Sequence, residues 1–219
     1  MSKKHYYLMI DTEATNSLEQ PLQYDIGMQI IDRNGTVYEE YSFVNQDIFY
    51  DQRDLMYSAY YANKIPNYEK DLLEGSRILS NTNEIRYWIY KKCKEYDVHA
   101  IIAHNAPFDV RALNTTLRYV TKSEKRFCLP YGVEIWDTMR MAQDTICKQK
   151  RYQKFCEENG YLTKNGQVRK TAEILYRYLI NNTDFVESHT GLEDVNIERQ
   201  IFMACLRQHK KMRRNAYNN

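Results

Sequence analysis

Residues 99–109 constrain the fold more than any other stretch of this 219-residue chain. The apolar run 101–103 lies between polar residues, which is typical of a buried strand. A tight turn at 105–107 follows, and the amphipathic segment from Phe108 onward predicts a helix. Asp109 would then lie in the first turn of a helix that leaves the end of a strand, where open α/β sheets place ligand-binding residues. Acidic residues also favour helix starts for electrostatic reasons, so this position alone supports either role.

Two acidic residues follow the first predicted strand. Residues 5–10 are apolar and strand-like, and the strand ends on Asp11-Thr12-Glu13. Residues i and i+2 of a strand point to the same face, so the two carboxylates would lie side by side. On a buried strand their charges would require a compensating cation. The alternative is that the strand has ended and both acids are in water.

The order of the predicted elements indicates the fold class. Residues 24–31 and 36–44 predict strands joined by an Asn-Gly turn at 34–35, and with the first strand they form an antiparallel meander. Two further strands, the apolar run described above and 134–136, are each followed by an amphipathic helix. The segment 47–74 is interpreted only as a connection over the sheet, helical in patches and interrupted at Ile65-Pro66. We expect an α/β fold with a mixed five-stranded sheet flanked by helices.

Capping signals predict where helices begin. Asn81-x-x-Glu84 and Thr190-x-x-Glu193 have the spacing of capping boxes. Asp137 should cap the helix that follows the last strand. The final helix is therefore expected to begin at Thr190.

A third acidic position lies near the end of the chain. Asp194 falls in the first turn of the final predicted helix, and His189 lies just outside its cap. Helical side chains lean toward the N-terminus, so these two residues would share a neighbourhood. A lone histidine at a helix start is, however, more often a surface residue. Together with the three acids described above, Asp194 would form a cluster that is strongly unfavourable unless divalent cations neutralise it. Oxygen ligands favour Mg²⁺ or Mn²⁺ over zinc.

Length and composition predict a single domain over residues 1–219, with a core at about 5–206 and a basic tail. The tail at 210–214 is interpreted as a solvated helix end. The net charge of +2 neither requires nor excludes a polyanionic partner. Five cysteines without a close pair favour reduced thiols in a cytoplasmic protein. No apolar segment approaches the roughly 18 residues of a membrane span, so no membrane contact is expected.

Basic residues are concentrated between positions 148 and 170, around an Asn-Gly turn at 165–166. The seven cations are Lys148, Lys150, Arg151, Lys154, Lys164, Arg169 and Lys170. Such a stretch suits binding to a phosphate backbone, and a solvated helix face explains it equally well.

Three motifs resemble those of the DEDDh family of 3′→5′ exonucleases. They are Asp11-x-Glu13, His104-Asn-Ala-Pro-Phe-Asp109 and His189-x-x-x-x-Asp194, in the order in which the family has them. That family has a ribonuclease H-like fold and includes proofreading subunits of bacterial replicative polymerases, ribonuclease T and oligoribonuclease. The last acid is preceded by a histidine rather than a tyrosine, and in this feature the chain resembles the DEDDh branch. The resemblance spans about residues 5–206.

The resemblance implies a role for each motif residue. The residues expected to bind two Mg²⁺ or Mn²⁺ ions are Asp11, Glu13, Asp109 and Asp194. His189 would be the general base that takes a proton from the attacking water, and an ordinary histidine pKa near 6.5 suits that task. The residues expected to line the pocket of the terminal nucleotide are Thr12, Ala14, Asn105 and Phe108.

Two other positions in these motifs have structural interpretations. For His104 we expect a structural hydrogen bond rather than a catalytic role. Gly191 departs from the family pattern, which more often has a helix-favouring residue there, and we expect it to loosen the helix start without removing a ligand.

The implied function is metal-dependent 3′→5′ exonuclease activity that releases nucleoside monophosphates from the ends of single-stranded DNA, in DNA replication or repair. Two alternatives stay open. One is a 3′→5′ exoribonuclease similar to ribonuclease T or oligoribonuclease, and the other is a non-catalytic nucleic-acid-binding accessory module. Loss of a ligand would favour the module, and none is missing. A DNA polymerase is a candidate partner, and the expected location is the cytoplasm of a bacterium or of a phage-infected bacterium.

Overall fold

Six strands form one mixed sheet in the computed structural model, which describes residues 4–217. The strands are β1 (Tyr6–Asn16), β2 (Pro21–Asp32), β3 (Val37–Asn45), β4 (Ile78–Ser80), β5 (Val98–Ala103) and β6 (Glu134–Asp137). Their order across the sheet is β4-β3-β2-β1-β5-β6. The predicted antiparallel meander is confirmed, and β4, β5 and β6 each pair in parallel with a neighbour. The sixth strand, β4, was not predicted. It has only three residues, two of them exposed, which is too short for a strand pattern in the sequence.

Helices cover both faces of this sheet. The α-helices are α1 (Gln46–Phe49), α2 (Arg53–Tyr57), α3 (Ile65–Glu74), α4 (Thr82–Glu95), α5 (Pro107–Thr121), α6 (Thr138–Asp144), α7 (Lys150–Glu158), α8 (Ala172–Ile180) and α9 (Gly191–Arg207). One core cluster joins the sheet to α4 and α5, and another joins its opposite face to α6–α9. Over residues 4–217, no helix combines the length and the apolar character needed to cross a bilayer.

Strand β1 sorts its side chains between these two core clusters. Tyr7 and Met9 belong to the cluster on the α9 side, whereas Leu8 and Ile10 belong to the cluster on the α5 side. Successive residues of a strand alternate between faces. Up to the register shift between Glu13 and Ala14, the same alternation directs odd-numbered side chains toward α9 and even-numbered ones toward α5.

The turn between β2 and β3 has the predicted geometry. Gly35 has a φ of 81°, which a glycine adopts without steric cost. The carboxylate of Asp32 accepts hydrogen bonds from the backbone N–H groups of Asn34 and Thr36, at 2.8 and 3.1 Å. The turn therefore fixes the register of the meander locally.

Two of the predicted helix caps are confirmed, and the third differs. Both hydrogen bonds of the Asn81 capping box are present, and Asp137 caps α6 by accepting from the N–H of Met139. Helix α9 begins after Thr190 as predicted, but the side chain of Thr190 makes no cap hydrogen bond. Its N–H instead donates to Asp194, and the predicted partner Glu193 binds Arg77. The capping box at this helix was therefore a wrong prediction.

The segment after β3 is more than a connection. Ile65-Pro66 begins α3 rather than interrupting a helix, because a first-turn proline lacks only an N–H that would have no partner inside the helix. Tyr68 of this helix is buried and packs with residues of β2 and α1 in a third core cluster. The segment thus contributes a layer of its own to the core.

The interpretation of 210–214 as a solvated helix end was wrong. Helix α9 ends at Arg207, and the following chain lies against β6. Asp137 donates its N–H to the carbonyl oxygen of Arg214 at 2.8 Å, and Ala216 donates to that of Ile135 at 2.8 Å. Arg213 pairs with Asp144, at 2.8 Å between Nε and Oδ2. Packing therefore extends past residue 206, as far as the buried Ala216.

Candidate active site

Three predicted site residues converge where β1 approaches the start of α9. Glu13 projects from β1, His189 precedes α9, and Asp194 lies in its first turn. One potential ligand atom of each residue lies within 4.8 Å of the others. The predicted proximity of His189 and Asp194 is thus confirmed. We call these three residues the Glu13 cluster.

The start of α9 reaches this place because two backbones meet without intervening side chains. A Cβ atom added to Gly27 would lie 2.2 Å from the carbonyl carbon of Gly191. Gly27 pairs with Asp11 in the register of β1 and β2, so the helix start lies beside the first acidic motif. Gly191 has a role beyond the expected loosening of the helix start: its missing side chain lets the helix touch the sheet.

A buried carboxylate then fixes the helix start. Asp25 accepts a hydrogen bond from the N–H of Gly191 at 2.8 Å and from the hydroxyl of Tyr68 at 2.7 Å. Arg77 lies 3.4 Å from Asp25 and 3.1 Å from Glu193. Burial raises the pKa of Asp25, and the charge of Arg77 opposes that shift. No sequence pattern singled out Asp25, which lies inside an apolar strand.

Asp11 and Asp109 lie next to the Glu13 cluster but outside it. Asp11 has the same parity along β1 as Glu13, which places both carboxylates on the α9 side of the strand. Thr12 faces α5, where its N–H and hydroxyl both donate to Oδ1 of Asp109, at 3.0 and 2.8 Å. As predicted, Asp109 lies in the first turn of α5. Within residues 4–217, however, the close group of potential ligand atoms does not include Asp11 or Asp109.

Burial and repulsion from neighbouring carboxylates raise the pKa of all four acids of the three motifs. Burial, together with the charge of Asp194, raises the pKa of Glu13 to about 8. Burial and the charge of Glu187 raise the pKa of Asp194 to about 8. Burial raises the pKa of Asp109 to about 7, and burial with the neighbouring carboxylates raises the pKa of Asp11 well above its ordinary value. Such a concentration of unfavourable negative charge is typical of a cation-binding site.

Two further acids border the site and were not predicted. Glu198 is 2% exposed, lies one helical turn after Asp194, and accepts a hydrogen bond from the N–H of His104 at 3.1 Å. Glu187 has an oxygen 3.9 Å from Nδ1 of His189. The spacing of four residues between Asp194 and Glu198 was the one sequence signal available for either acid.

A tyrosine and a lysine from outside the three motifs contact His189. The ring of Tyr61 stacks on that of His189, with centroids 4.7 Å apart and an angle of 19° between the planes. Lys64 donates hydrogen bonds to the backbone carbonyl oxygens of Ser188 and His189. Burial lowers the pKa of His189, and the charge of Lys64 acts in the same direction. No sequence pattern marked Tyr61 or Lys64, because both contacts join distant segments: Lys64 and His189 are 125 residues apart.

The four predicted pocket residues have different surroundings. Thr12 is buried and bonded to Asp109, and Ala14 is half-buried on β1. Asn105 is exposed, has a φ of 64°, and donates its N–H to Asp137 at 3.0 Å. Phe108 is half-buried in the first turn of α5. The last two therefore lie together at the turn between β5 and α5.

The expected structural role of His104 is confirmed. Its Nδ1 lies 2.9 Å from the hydroxyl of Thr138, and its Nε2 lies 2.8 Å from the carbonyl oxygen of Lys170. Both ring nitrogens are thus occupied within the protein. The contact ties residue 170 to the end of β5.

The basic stretch divides into two parts. Lys148 and Lys154 pair with acids one helical turn away, which fits a solvated helix face. Lys164, Arg169 and Lys170 instead line a pocket of about 580 Å³ beside α6. Because the backbone carbonyl of Lys170 contacts His104, this second part lies next to the end of β5.

Neither a protein-family model nor a curated protein sequence matches this chain. The structure is similar to that of a full-length 3′-exonuclease, with a TM-score of 0.61, 13% identity, and coverage of 97% of this chain and 86% of the other. It is also similar to E. coli exonuclease I in complex with a 5cy-dT13 oligonucleotide, with a TM-score of 0.56 and 11% identity over 94% of this chain. The complex of E. coli exonuclease I with a dA16 oligonucleotide gives a TM-score of 0.52 at 13% identity. The chain spans 41% of exonuclease I. At these identities the likeness concerns the fold, and it confirms the expected ribonuclease H-like α/β class.

Proposed function

We propose that this protein is a metal-dependent 3′→5′ exonuclease that releases nucleoside monophosphates from the ends of single-stranded DNA. The observation that carries the proposal is the Glu13 cluster, in which two carboxylates and an imidazole from distant motifs lie within 4.8 Å. Asp11 and Glu13 lie within β1, which continues past its predicted end to Asn16. Asp109 and Asp194 lie in the first turns of α5 and α9, and His189 directly precedes the cap of α9, in a fold shared with exonucleases. A non-catalytic module would have no reason to retain all of them.

The donor groups fit divalent cations. Hard carboxylate oxygens dominate the set, and the raised pKa values of Glu13, Asp109 and Asp194 show how unfavourable their charges are without a counterion. The residues that would hold two Mg²⁺ or Mn²⁺ ions are Asp11, Glu13, Asp109 and Asp194. When bound, such ions polarise a phosphoryl group and stabilise the charge that develops on its oxygens.

His189 is the proposed general base. Burial lowers its pKa, so the imidazole is neutral at neutral pH and able to accept a proton. In the proposed reaction the water oxygen bonds to phosphorus, the proton of the water passes to His189, and the P–O3′ bond of the terminal phosphodiester breaks. The bond pair leaves with O3′ of the shortened strand, and the terminal nucleotide departs as a 5′-monophosphate.

The pocket for the terminal nucleotide is proposed at the turn between β5 and α5. Asn105 and Phe108 would contact the nucleotide there, and the backbone of Thr12 and Ala14 would form the opposite side. Since both donors of Thr12 bind Asp109, a second role for Thr12 is to orient that carboxylate. A DNA polymerase as partner, and a role in replication or repair in the bacterial cytoplasm, belong to the same proposal.

A degradation panel tests the proposal. Purified protein with Mn²⁺ would be incubated with 5′-labelled linear single-stranded DNA, circular single-stranded DNA, blunt duplex DNA and 5′-labelled RNA. We expect a ladder of shortened products from linear DNA, resistance of the circle, and slower loss of the duplex. Rapid cutting of the circle would contradict an exonuclease, and preference for RNA would favour the exoribonuclease alternative. Asp194→Asn, prepared identically, controls for contaminating nucleases and should be inactive.

A further inference from the structure

The geometry points to Tyr61 and Lys64 as positioning residues that hold His189 in its working orientation. The inference rests on the proposed role of His189 and extends it to residues outside the three motifs. Neither side chain belongs to the Glu13 cluster, and both act on the histidine from the segment between α2 and α3.

The backbone of His189 needs external support. Its φ is 51°, in the left-handed region, which a residue with a Cβ atom rarely adopts. Glycine adopts it freely, and asparagine, aspartate and histidine adopt it more often than other residues with a Cβ atom. The conformation still costs free energy for histidine, and contacts with the surroundings offset that cost.

Lys64 supplies one of those contacts. Its ammonium group donates to the carbonyl oxygens of Ser188 and His189, which flank the Cα atom of His189, at 3.0 Å for His189. Helix α3 begins directly after Lys64, and Tyr68 on that helix binds Asp25, which holds the N–H of Gly191. Residues 188–191 are therefore held on both sides of the histidine, directly by Lys64 and by Asp25, which Tyr68 of α3 binds in turn.

Tyr61 supplies the second contact, to the imidazole itself. The two rings stack at 4.7 Å, and the Lys64 ammonium lies 4.0 Å from the centroid of the tyrosine ring. The stack covers one face of the imidazole, whose side chain is partly exposed. It does not cover the nitrogen of the ring that lies near Glu13 and Asp194. Restricting the ring in this way keeps the proton acceptor within reach of its neighbours.

The neighbouring tyrosine provides a matched control. Tyr60 is 90% exposed and contacts the edge of Tyr61, with centroids 4.8 Å apart. An exposed tyrosine beside a nuclease site could instead serve as a stacking surface for a base. Substitutions of the two tyrosines separate that role from positioning, because a base-stacking residue acts on substrate affinity.

The test measures single-turnover rates and KM for Tyr61→Ala, Tyr61→Phe and Tyr60→Ala, each in the wild-type and His189→Ala backgrounds. We expect Tyr61→Ala to lower the rate by roughly ten- to a hundredfold at unchanged KM. Tyr61→Phe should stay within about twofold of wild type because it keeps the stacked ring. In the His189→Ala background, Tyr61→Ala should cause no further loss, since residues that act through one another are not additive. An equal loss in that background, or an effect confined to KM, would overturn the inference.

Lys64 is tested in the same way, by comparing single-turnover rates of Lys64→Met and Lys64→Arg with that of the wild type. We expect Lys64→Met to be slower than the wild type. Lys64→Arg should keep most of the rate, because arginine retains donors for the two carbonyl oxygens. Equal rates for Lys64→Met and wild type would overturn the role of Lys64. Thermal unfolding of each variant shows whether the fold is retained.

A second readout does not depend on activity. NMR signals of the His189 ring, assigned by their loss in His189→Ala, should be displaced by the ring current of Tyr61. The displacement should vanish in Tyr61→Ala and persist in Tyr61→Phe. If the wild-type protein hydrolysed no nucleic acid, the proposed function would fail while this contact could still be measured. Undisplaced His189 signals in the wild type would overturn the positioning role itself.

Discussion

Gly27 and Gly191 meet backbone against backbone, and their contact sets the distance between the sheet and the start of α9. A Cβ atom on Gly191 would lie 2.4 Å from the backbone nitrogen of Gly27 and 3.2 Å from the carbonyl oxygen of Asp11. Because Asp194 lies in the first turn of the same helix, any outward shift of that turn would move its carboxylate away from Glu13. The two glycines therefore link the packing of the core to the geometry of the candidate site.

Gly27→Ala should destabilise the protein and impair the site together. The added methyl group would meet backbone atoms at 2.2 Å, which no side-chain rotation can relieve. We expect a loss of about 3 kcal/mol or more in the free energy of unfolding, at the upper end of overpacking costs. Gly132→Ala is the control: it has open space around it and a φ of 82°, so backbone strain of about 1–2 kcal/mol is its main cost. Urea unfolding of both variants checks this, and equal losses would contradict the close-contact explanation.

His189→Ala and Asp11→Ala should fail in different ways. Removing a general base typically lowers turnover by about 10²–10⁴-fold, and we expect that loss for His189→Ala with Mn²⁺ affinity unchanged. High pH should partly restore it, because hydroxide can replace a base. Asp11→Ala should lose a metal ligand, which neither excess Mg²⁺ nor high pH replaces fully.

Single-turnover rates across pH and Mn²⁺ concentration separate these two variants. The exposed His99, at the start of β5, provides a control substitution that should leave both titrations unchanged. If His189→Ala turned over like the wild type at neutral pH, the histidine would have only a structural role. A large loss of Mn²⁺ affinity in that variant would instead make it a metal ligand.

Lys164, Arg169 and Lys170 should contribute to binding of a nucleic-acid backbone. Replacing all three with alanine should weaken binding of a single-stranded oligonucleotide and reduce the salt slope by about 1 for each lost phosphate contact. Binding would be measured by fluorescence anisotropy with a chelator present to prevent hydrolysis. The matched control replaces Lys148, Lys150 and Lys154 on and beside α7 with alanine. Equal salt slopes for the two triple variants would show that Lys164, Arg169 and Lys170 are solvated surface residues without a role in binding.

Glu39 should make stability depend on pH in the acidic range. Burial alone would raise its pKa, but hydrogen bonds from Lys92, Tyr41 and Tyr96 outweigh burial and lower it to about 2. A carboxyl with a lowered folded-state pKa stabilises the protein above its ordinary pKa, and that stability is lost as the pH falls toward 2. Glu39→Gln should therefore be less stable than wild type at pH 6, with the difference shrinking between about pH 5 and pH 2. Urea unfolding in a pH series tests this, with the exposed Glu74→Gln as control, and a pH-independent difference would argue against the ionised pair.

The predictable parts of the structure are those in which a local pattern decides the outcome. Gly35 adopts the positive φ of its hairpin turn without steric cost, and the capping box at Asn81 closes within four residues. The apolar run at β5, the turn after it and the amphipathic segment from Phe108 predict that Asp109 lies in the first turn of a helix. This prediction needs no information from the rest of the chain. Each of these features depends on interactions over a few residues.

The features that escaped prediction depend on contacts between distant segments. Thr190 and Glu193 have the spacing of a capping box. The side chain of Glu193 nevertheless binds Arg77, which is more than a hundred residues away in sequence. In the sequence, Asp25 is only a polar residue within an apolar strand. Its hydrogen-bond donors, Tyr68 of α3 and Gly191 of α9, come close only in the folded protein. The stacking of Tyr61 on His189 likewise requires the complete fold.

The chain after α9 also protects the sheet. Strand β6 lies at one margin of the sheet, where free N–H and C=O groups could recruit a strand from another molecule. The hydrogen bonds of Arg214 and Ala216 to β6 already occupy those groups at Asp137 and Ile135. At the opposite margin, β4 has only three residues, too few to offer a long template. Intermolecular extension of the sheet, a common route to aggregation, is thereby disfavoured at both margins, and detaching residues 213–216 would expose one of them.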